Sequence, residues 1–344
     1  MKLGKIYEKV IEFGKSRDPR GIKEVEAQIE DNKKTFKDLK GIRREIFDRE
    51  KLKNPYSDSR ILHGDPDTQV KTVLVGIDME GPELLLAQKL REKRNGPDLV
   101  IAHHPEGRAL ARLADVMGMQ SEILATFGVP INVAESLMAS RVAEVDRSIS
   151  PGNHNRSVDM ARLLDIPMMC MHTPADNHVV FYLQELFDLE KPRKVKDIVD
   201  LLYEHEEYKS LAKTGSPVTV FVGDENRKAG GVFVDMTGGT SGNKKIYEKL
   251  SQAGVGTIVG MHISEEHRKL AEENHLNVVI AGHISSDSLG MNLLIDRICR
   301  IEPLKIIPCS GFIRVDRVKS GASGKISSKP KKKSKSGGGS SGKR

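Results

Sequence analysis

The sequence predicts an α/β protein of layered, mostly parallel sheets with flanking helices, preceded by a helical N-terminal extension. Three observations predict it. An apolar run at 71–78, a helical stretch opened by Gly81-Pro82 and carrying Leu84, Leu85, Leu86 and Leu90, and a second apolar run at 98–102 follow one another directly. Strand, helix and strand within about thirty residues form a βαβ unit, whose strands run parallel with a right-handed crossover. The alternation continues, with short Val/Ile/Met-rich runs at 166–171, 217–223, 231–235, 256–260 and 277–281 separated by helical stretches. Residues 1–60, by contrast, are densely charged, with apolar residues at helical spacing only: Ile6, Val10, Phe13, then Ile22, Val25, Ile29, then Phe36 and Leu39.

Taken in order, residues 1–64 read as two or three amphipathic helices with a narrow apolar face, broken near 18–21. Such helices pack on the body of the protein or on a neighbouring subunit. Residues 54–59 read as a loop leading into the α/β body at 65–318. After the strand at 98–102 come helical stretches at 109–118, 121–127 and 133–145, a loop at 150–155 and a helix at 156–164. The strand at 166–171 is followed by helices at 179–187 and 195–205. Strands at 217–223 and 231–235 precede Gly238-Gly-Thr-Ser-Gly242, expected to open a helix running to 252. The strand at 256–260 leads to a helix at 264–274, with Ser264 as N-cap and Glu265 and Glu266 in its first turn. The strand at 277–281 precedes a helix at 287–301, and short strands at 304–307 and 311–318 close the fold. Residues 319–344 are Lys/Ser/Gly-rich and expected to be disordered.

The composition of the 344 residues narrows the function classes. Trp is absent and aromatics make up 4%, which argues against a base-stacking nucleic-acid surface. No apolar run is long enough to span a membrane. The charged N-terminus lacks the apolar core of a signal peptide. Cys170, Cys299 and Cys309 have no paired spacing and read as thiols in a reducing cytoplasm. The net charge of +7 is misleading, because the tail holds nine Lys/Arg and no acid, and the remainder of the chain carries −2. The 319–344 tail alone could bind nucleic acid electrostatically; a solvated, solubilising tail is the commoner reading of such a segment.

Three strands end alike: Ile-Ala-His103-His104-Pro, Cys-Met-His172-Thr-Pro-Ala-Asp176 and Ile-Ala-Gly-His283-Ile-Ser-Ser-Asp287. Ligands of open parallel sheets bind at the carboxyl ends of the strands, so these groups converge. Neutral imidazole with carboxylate is the ligand set of zinc, iron, manganese, nickel or cobalt. Five such groups exceed what one catalytic zinc takes and suit two divalent metal ions sharing a bridging group. His172 reads as a residue that orients Asp176. His178 is a candidate proton shuttle and Glu106 a candidate general base. Asp78 either binds substrate or caps the next helix. Gly260-Met-His262-Ile-Ser-Glu-Glu266 echoes the third strand end, with Glu265 and Glu266 read as helix-dipole partners. Gly238–Gly242 reads either as a backbone cradle for phosphate or as a plain tight turn.

These motifs resemble the Nif3-like dinuclear metal-centre family, also called GTP cyclohydrolase 1 type 2 homologues. That family shows a strand ending His-His-Pro, a later His-Thr-x-x-Asp and a C-terminal Gly-His-x-x-x-Glu, and here Asp287 stands where the pattern has Glu. The resemblance covers about residues 65–318. It implies metal ligands at His103, His104, Asp176, His283 and Asp287, two related α/β halves (about 65–190 and 215–318) and a homo-oligomer. The function expected is a metal-dependent hydrolase of a phosphate-ester or nucleotide substrate, of which the cyclohydrolase label is the narrower version. The alternative is a non-catalytic metal-binding adaptor or metal-handling protein.

Overall fold

Short runs rich in Val, Ile and Met are buried on both faces, as the inner strands of a parallel sheet must be, and they form the two sheets of the protein. The computed structural model describes residues 1–93 and 96–318. The basic tail, 319–344, lies outside the described residues, and so do the expectations of disorder and nucleic-acid binding attached to it. The first sheet contains β1 (Ser59–His63), β2 (Thr72–Gly76), β3 (Leu99–Ala102), β4 (Met168–Met171) and β9 (Lys305–Pro308). The second contains β5 (Thr219–Val222), β6 (Gly231–Asp235), β7 (Val255–Gly260) and β8 (Asn277–Ile280).

The sheet orders are β1-β4-β3-β2-β9 and β5-β8-β7-β6. β1 is antiparallel to β4 as β5 is to β8, and the other pairs are parallel. Four consecutive strands thus take the same order and directions twice, and β9 is added beside β2. This repeat is the physical content of two related halves.

Each sheet is covered on both faces. Leu74, Val100, Met168 and Cys170 pack outward on Leu84, Ala87, Ala109 and Ala161. The opposite face of that sheet, with Val73, Val75, Ile101 and Met169, meets Leu3, Ile6 and Val10 and also Met291, Leu294 and Ile295. Val234, Val259 and Val279 of the second sheet meet Val179, Leu183 and Leu289. Its outer face, with Phe233, Ile258 and Val278, meets Ile123, Met138 and Leu250. The layers therefore run helices, sheet, helices, sheet, helices. The middle layer is built from the long helices Thr173–Glu190 and His283–Ile301, which pack on each other and on Leu3–Lys15. In Leu3–Lys15, the buried residues Leu3, Ile6, Tyr7, Val10, Ile11 and Gly14 form one stripe at helical spacing.

Several elements differ from the sequence reading. β1 lies ahead of residue 65 and is hydrogen-bonded along β4, with Arg60 opposite Cys170. Residues 311–318 form no strand. Side chains anchor them instead: Asn292 donates to the Ile313 carbonyl, and Arg317 grips the buried Glu207 through two bonds of 2.8 and 2.9 Å. Gly238 and Gly239 have φ of +89° and +88°, outside the helical region, so the helix expected there starts later, as Ile246–Gln252. The stretch at 109–118 is split into Gly107–Ala111 and Leu113–Val116.

Candidate metal centre

Every parallel strand of both sheets that carries a candidate group aims its carboxyl end at one region. β3 ends at Ala102, and the peptide N–H groups of His103 and His104 still bond to the carbonyls of Gly76 and Ile77 at 2.9 and 3.0 Å. The strand then breaks at Pro105, so two adjacent histidines need not face opposite ways as they would on a regular strand. β4 ends at Met171, and His172 becomes the N-cap residue of Thr173–Glu190, which places Asp176 in its first turn. After β8, Gly282 takes φ +107° and ψ 133°, a conformation closed to residues with a Cβ, and releases the chain into His283–Ile301 with Asp287 near its start. Asp176 thus sits in the first turn of its helix, where the backbone dipole favours negative charge, and Asp287 lies one turn into its own.

The imidazoles and carboxylates converge. His103 Nε2 lies 3.4 Å from Asp176 Oδ1 and 3.4 Å from Asp287 Oδ1. His104 Nε2 is 3.5 Å and His283 Nε2 3.7 Å from Asp287 Oδ2, and His172 Nε2 is 3.7 Å from Asp176 Oδ2. These separations are long for hydrogen bonds. The three of 3.4–3.5 Å fall within the spacing of about 3.3–3.6 Å between neighbouring ligand atoms held 2.0–2.2 Å from one tetrahedral ion, and the two of 3.7 Å lie just beyond it. His104, His283 and Asp287 form one group able to hold a metal, His103, Asp176 and Asp287 another, and His103, His104 and His172 a third. All five ligands read from the sequence are brought together, and His172 joins them.

The electrostatics of the cluster call for a cation. Asp176 Oδ1, both oxygens of Asp287 and His103 Nδ1 are buried without a hydrogen-bond partner. An unpaired buried carboxylate costs several kcal/mol unless a positive charge meets it. Burial, with Asp287 and Asp58 close by, pushes Asp176 well above the usual carboxylate range despite His172. Burial likewise pushes His103 down to about 4, outweighing Asp287. For Asp287 burial acts upward, but His103, His283 and His104 together hold its carboxyl below the usual range. The residues present therefore fit divalent ions, by donor type, by spacing and by their missing partners.

Two further carboxylates hold the rings in place. Asp78 Oδ1 meets His104 Nδ1 at 2.6 Å, and Asp58 Oδ2 meets His172 Nδ1 at 2.9 Å. Each leaves the Nε2 atom of its histidine turned to the cluster, the arrangement that fixes tautomer and ring orientation in metal-ligating histidines. Asp58 is fully buried and also accepts from Thr173 at 2.6 Å and Ser59 at 3.2 Å. Burial acts to raise its pKa, but those bonds and His172 bring it below the usual value. Burial lowers the His172 imidazole, but Asp176 and Asp58 outweigh it and raise it to about 9.

One solved structure, described as a NIF3 superfamily protein from Sphaerobacter thermophilus, is similar over 76% of this chain and 93% of its own, with 27% identity and a TM-score of 0.65. The fold is NIF3-like, and this likeness supports a NIF3-like family assignment. More distant are reduced HcgD from Methanocaldococcus jannaschii (18% identity, 72% and 87% of the two chains, TM-score 0.43) and a Bacillus cereus protein related to NIF3 (12%, 75% and 92%, TM-score 0.39). No protein-family model matches the chain, and no curated protein does.

In this NIF3-like chain the remaining sequence candidates fall outside the cluster. His178 is two residues past Asp176, about 200° further round the helix. Its Nδ1 donates to the Pro174 carbonyl at 2.7 Å and its Nε2 accepts from Arg297 at 3.1 Å. With both nitrogens engaged, it has neither the position nor the free atom of a proton shuttle. Glu106 stands half-buried beside the cluster. Burial pushes it up to about 7, opposed by Ser157 and supported by the neighbouring Glu80 and Asp78. Glu265 and Glu266 are exposed and pair with Arg268 and Lys244 at 2.8 and 2.6 Å, and Ser264 caps their helix as expected. His262, at the end of β7, does approach the site, its ring 5.3 Å from that of His283.

The cluster opens on one side. His172, Asp176, His283 and Asp287 line a cleft that continues over the carboxyl edge of the second sheet, past Asp235, His262 and the loop at 239–243. Asp235 went unnoticed in the sequence. It has no ion-pair partner among the described residues, and burial pushes its carboxyl up to about 6.

Proposed function

We propose that the protein is a dinuclear metal-dependent hydrolase of a phosphate-ester or nucleotide substrate. The observation that supports this most is the open side of the cluster: Asp287 is wholly buried, yet the His283 side chain is 41% exposed to the cleft. Metals held for structure or storage are closed off by their ligands, whereas catalytic sites keep a position free. In this reading one ion would be held by His104, His283 and Asp287 and a second by His103 and Asp176, with Asp287 within reach of both and His172 able to complete the set. When bound, such ions make water a nucleophile at neutral pH and polarise the electrophilic centre it attacks. Asp78 and Asp58 keep His104 and His172 aimed. Glu106, close enough to Asp78 to feel its charge, is the candidate general base. The same reading places the enzyme in a reducing, cytoplasmic setting, in keeping with three free thiols, and in a homo-oligomer.

The test is elemental analysis of the purified protein followed by a screen of phosphomonoesters, phosphodiesters and nucleotides. Two ions per chain are expected, with turnover that His104→Ala and Asp176→Ala abolish. Metal-loaded protein without turnover on any of these substrates would instead favour a metal-handling protein.

A further inference from the structure

Strand β6 turns its side chains to two layers in alternation. Val234 and Met236 pack on the central helices, and Phe233 packs on the outer layer. Successive residues of a strand face opposite ways, so Asp235 shares the face of Phe233. Tyr247 stands on that side, its phenol pushed above the ordinary range by burial and then by the Asp235 charge. Both residues line the cleft, together with Ile123, Leu124, Phe233 and Ile246. Asp235 keeps part of its surface open, and its carboxyl has neither a hydrogen bond nor an ion pair among the described residues. Burial alone moves its pKa, with no charged neighbour contributing. The Tyr247 hydroxyl has no hydrogen bond among the described residues either. No Lys or Arg is among the described residues that line the cleft. The other two acids of that lining, Asp176 and Asp287, belong to the metal cluster. His267, against the Tyr247 ring, is engaged at both nitrogens, by Ser264 at 2.7 Å and the Gly242 carbonyl at 3.2 Å. One acceptor in a largely apolar end of the cleft is therefore left for a ligand.

We propose that this end of the cleft is a subsite for a nitrogen heterocycle of the substrate, with Asp235 accepting a hydrogen bond from its ring N–H or amino group. Apolar and aromatic walls suit the faces of such a ring, and a single placed polar group fixes its edge. A carboxylate acceptor gives that bond its strength. A ring without a donor would cover the carboxyl and leave it unpaired, which is the basis of selection. Phosphate is the wrong occupant here, since Asp235 repels it and no Lys or Arg of the lining offsets that. The subsite adjoins the metal cluster without belonging to it. Asp235 pairs with Gly260, two residues before His262, whose ring lies 5.3 Å from that of His283. A ring held at Asp235 thus anchors the non-reacting part of the molecule beside the metal ligands, and its binding energy serves to position the reacting bond. The proposal rests on the hydrolase reading only for taking the ring as part of a substrate.

Two probes test this on the full chain as purified. 2-Aminobenzimidazole carries ring N–H and amino donors on one edge, and 1-methylbenzimidazole carries neither. Both keep a ring nitrogen able to bind a metal, so a difference between them does not report the cluster. Calorimetry in mildly alkaline buffer, where both are uncharged, is expected to show the first binding about tenfold tighter or more. Asp235→Ala removes the acceptor without removing any bond of the fold, and is expected to bring the two probes within about threefold of each other. Crystals of the parent soaked in 2-aminobenzimidazole are expected to show its donor edge within hydrogen-bond distance of the Asp235 carboxyl. Equal binding of the two probes, no binding of either, a preference that survives Asp235→Ala, or a probe seated only at the histidines overturns the proposal. Donor-selective binding at Asp235 without any turnover in the substrate screen would count against the hydrolase reading alone. Turnover with no preference between the probes would count against the subsite alone.

Discussion

Asp78 and His104 are joined through Oδ1 and Nδ1 at 2.6 Å, and the other nitrogen of the ring faces Asp287. The carboxylate is more than half exposed, so it contributes little to packing. Its effect is to fix which nitrogen of His104 carries the proton and where Nε2 points. Replacing such a partner costs 10–100-fold in metal affinity in comparable sites. Asp78→Asn is therefore expected to bind metal about 10–100-fold more weakly in a chelator competition, with a melting temperature close to the parent's. Unchanged affinity would show that Asp78 does not orient the ring.

Asp287 belongs to two of the three groups able to hold a metal, whereas Asp176 belongs to one. Elemental analysis should separate them: Asp176→Ala is expected to retain one of the two proposed ions and Asp287→Ala neither. Stability in chelator should move the other way. Asp176 Oδ1 is buried and unpartnered, and burial holds that carboxyl well above the usual range, so removing the charge removes a desolvation cost when no cation is present. Asp176→Asn without metal is thus expected to melt at or above the metal-free parent. A lower melting point would mean that His172 alone compensates the buried charge.

Much of this was legible in the sequence. His103, His172 and His283 each follow an apolar run, and in parallel strands that position fixes a common edge, so the pattern predicts convergence without any contact information. Asp58 was not legible. It meets His172 across 114 residues of chain, inside a segment that reads as a loop. β1 escaped for a related reason: an antiparallel edge strand, Ser-Arg-Ile-Leu-His, has no continuous apolar run. His178 shows the opposite error, since closeness in sequence to Asp176 implied closeness to the site. On a helix two residues apart means opposite faces. The strand expected at 311–318 fails because Arg314 and Arg317 are tied down by Asp296 and Glu207, an anchoring that hydropathy does not report.

The neutral form of His178 is built into the fold. Burial, helped by Arg297 and Arg17 and only partly opposed by the Pro174 carbonyl, brings it down to about 3 from the ordinary 6.5. A lowered folded-state value means that the unfolded chain binds the extra proton first. The folded state is then at full advantage above pH 6.5 and loses it as pH falls toward 3. One such group tilts stability by at most about 1.4 kcal/mol per pH unit in that window. His178→Gln, which does not titrate, is expected to flatten the fall in denaturant-measured stability between pH 6.5 and 4.5 by up to that slope. His205, lowered to about 4 mainly by burial, would leave a residual slope in the variant. An unchanged profile would show that His178 charges without cost.

The two long helices that carry the carboxylates cross where Gly290 meets Ala175. A Cβ on Gly290 would lie 2.5 Å from the Ala175 carbonyl oxygen, a backbone atom that no rotamer change can move aside. Ala175 immediately precedes Asp176, and Gly290 is three residues past Asp287 on its own helix. The crossing thus sets the distance between the two acids. Added bulk in a packed core costs typically 1–3 kcal/mol. Gly290→Ala is therefore expected to lose about that much stability despite the better helix propensity of alanine. It is also expected to bind metal more weakly, because Asp176 and Asp287 move apart together. Gly81→Ala is the control, since its Cβ would meet nothing nearer than the Met160 sulfur at 3.4 Å. It should change stability by no more than about 0.5 kcal/mol. If Gly290→Ala behaved like that control, in melting temperature and in metal affinity, the close helix crossing would have no part in holding the site together.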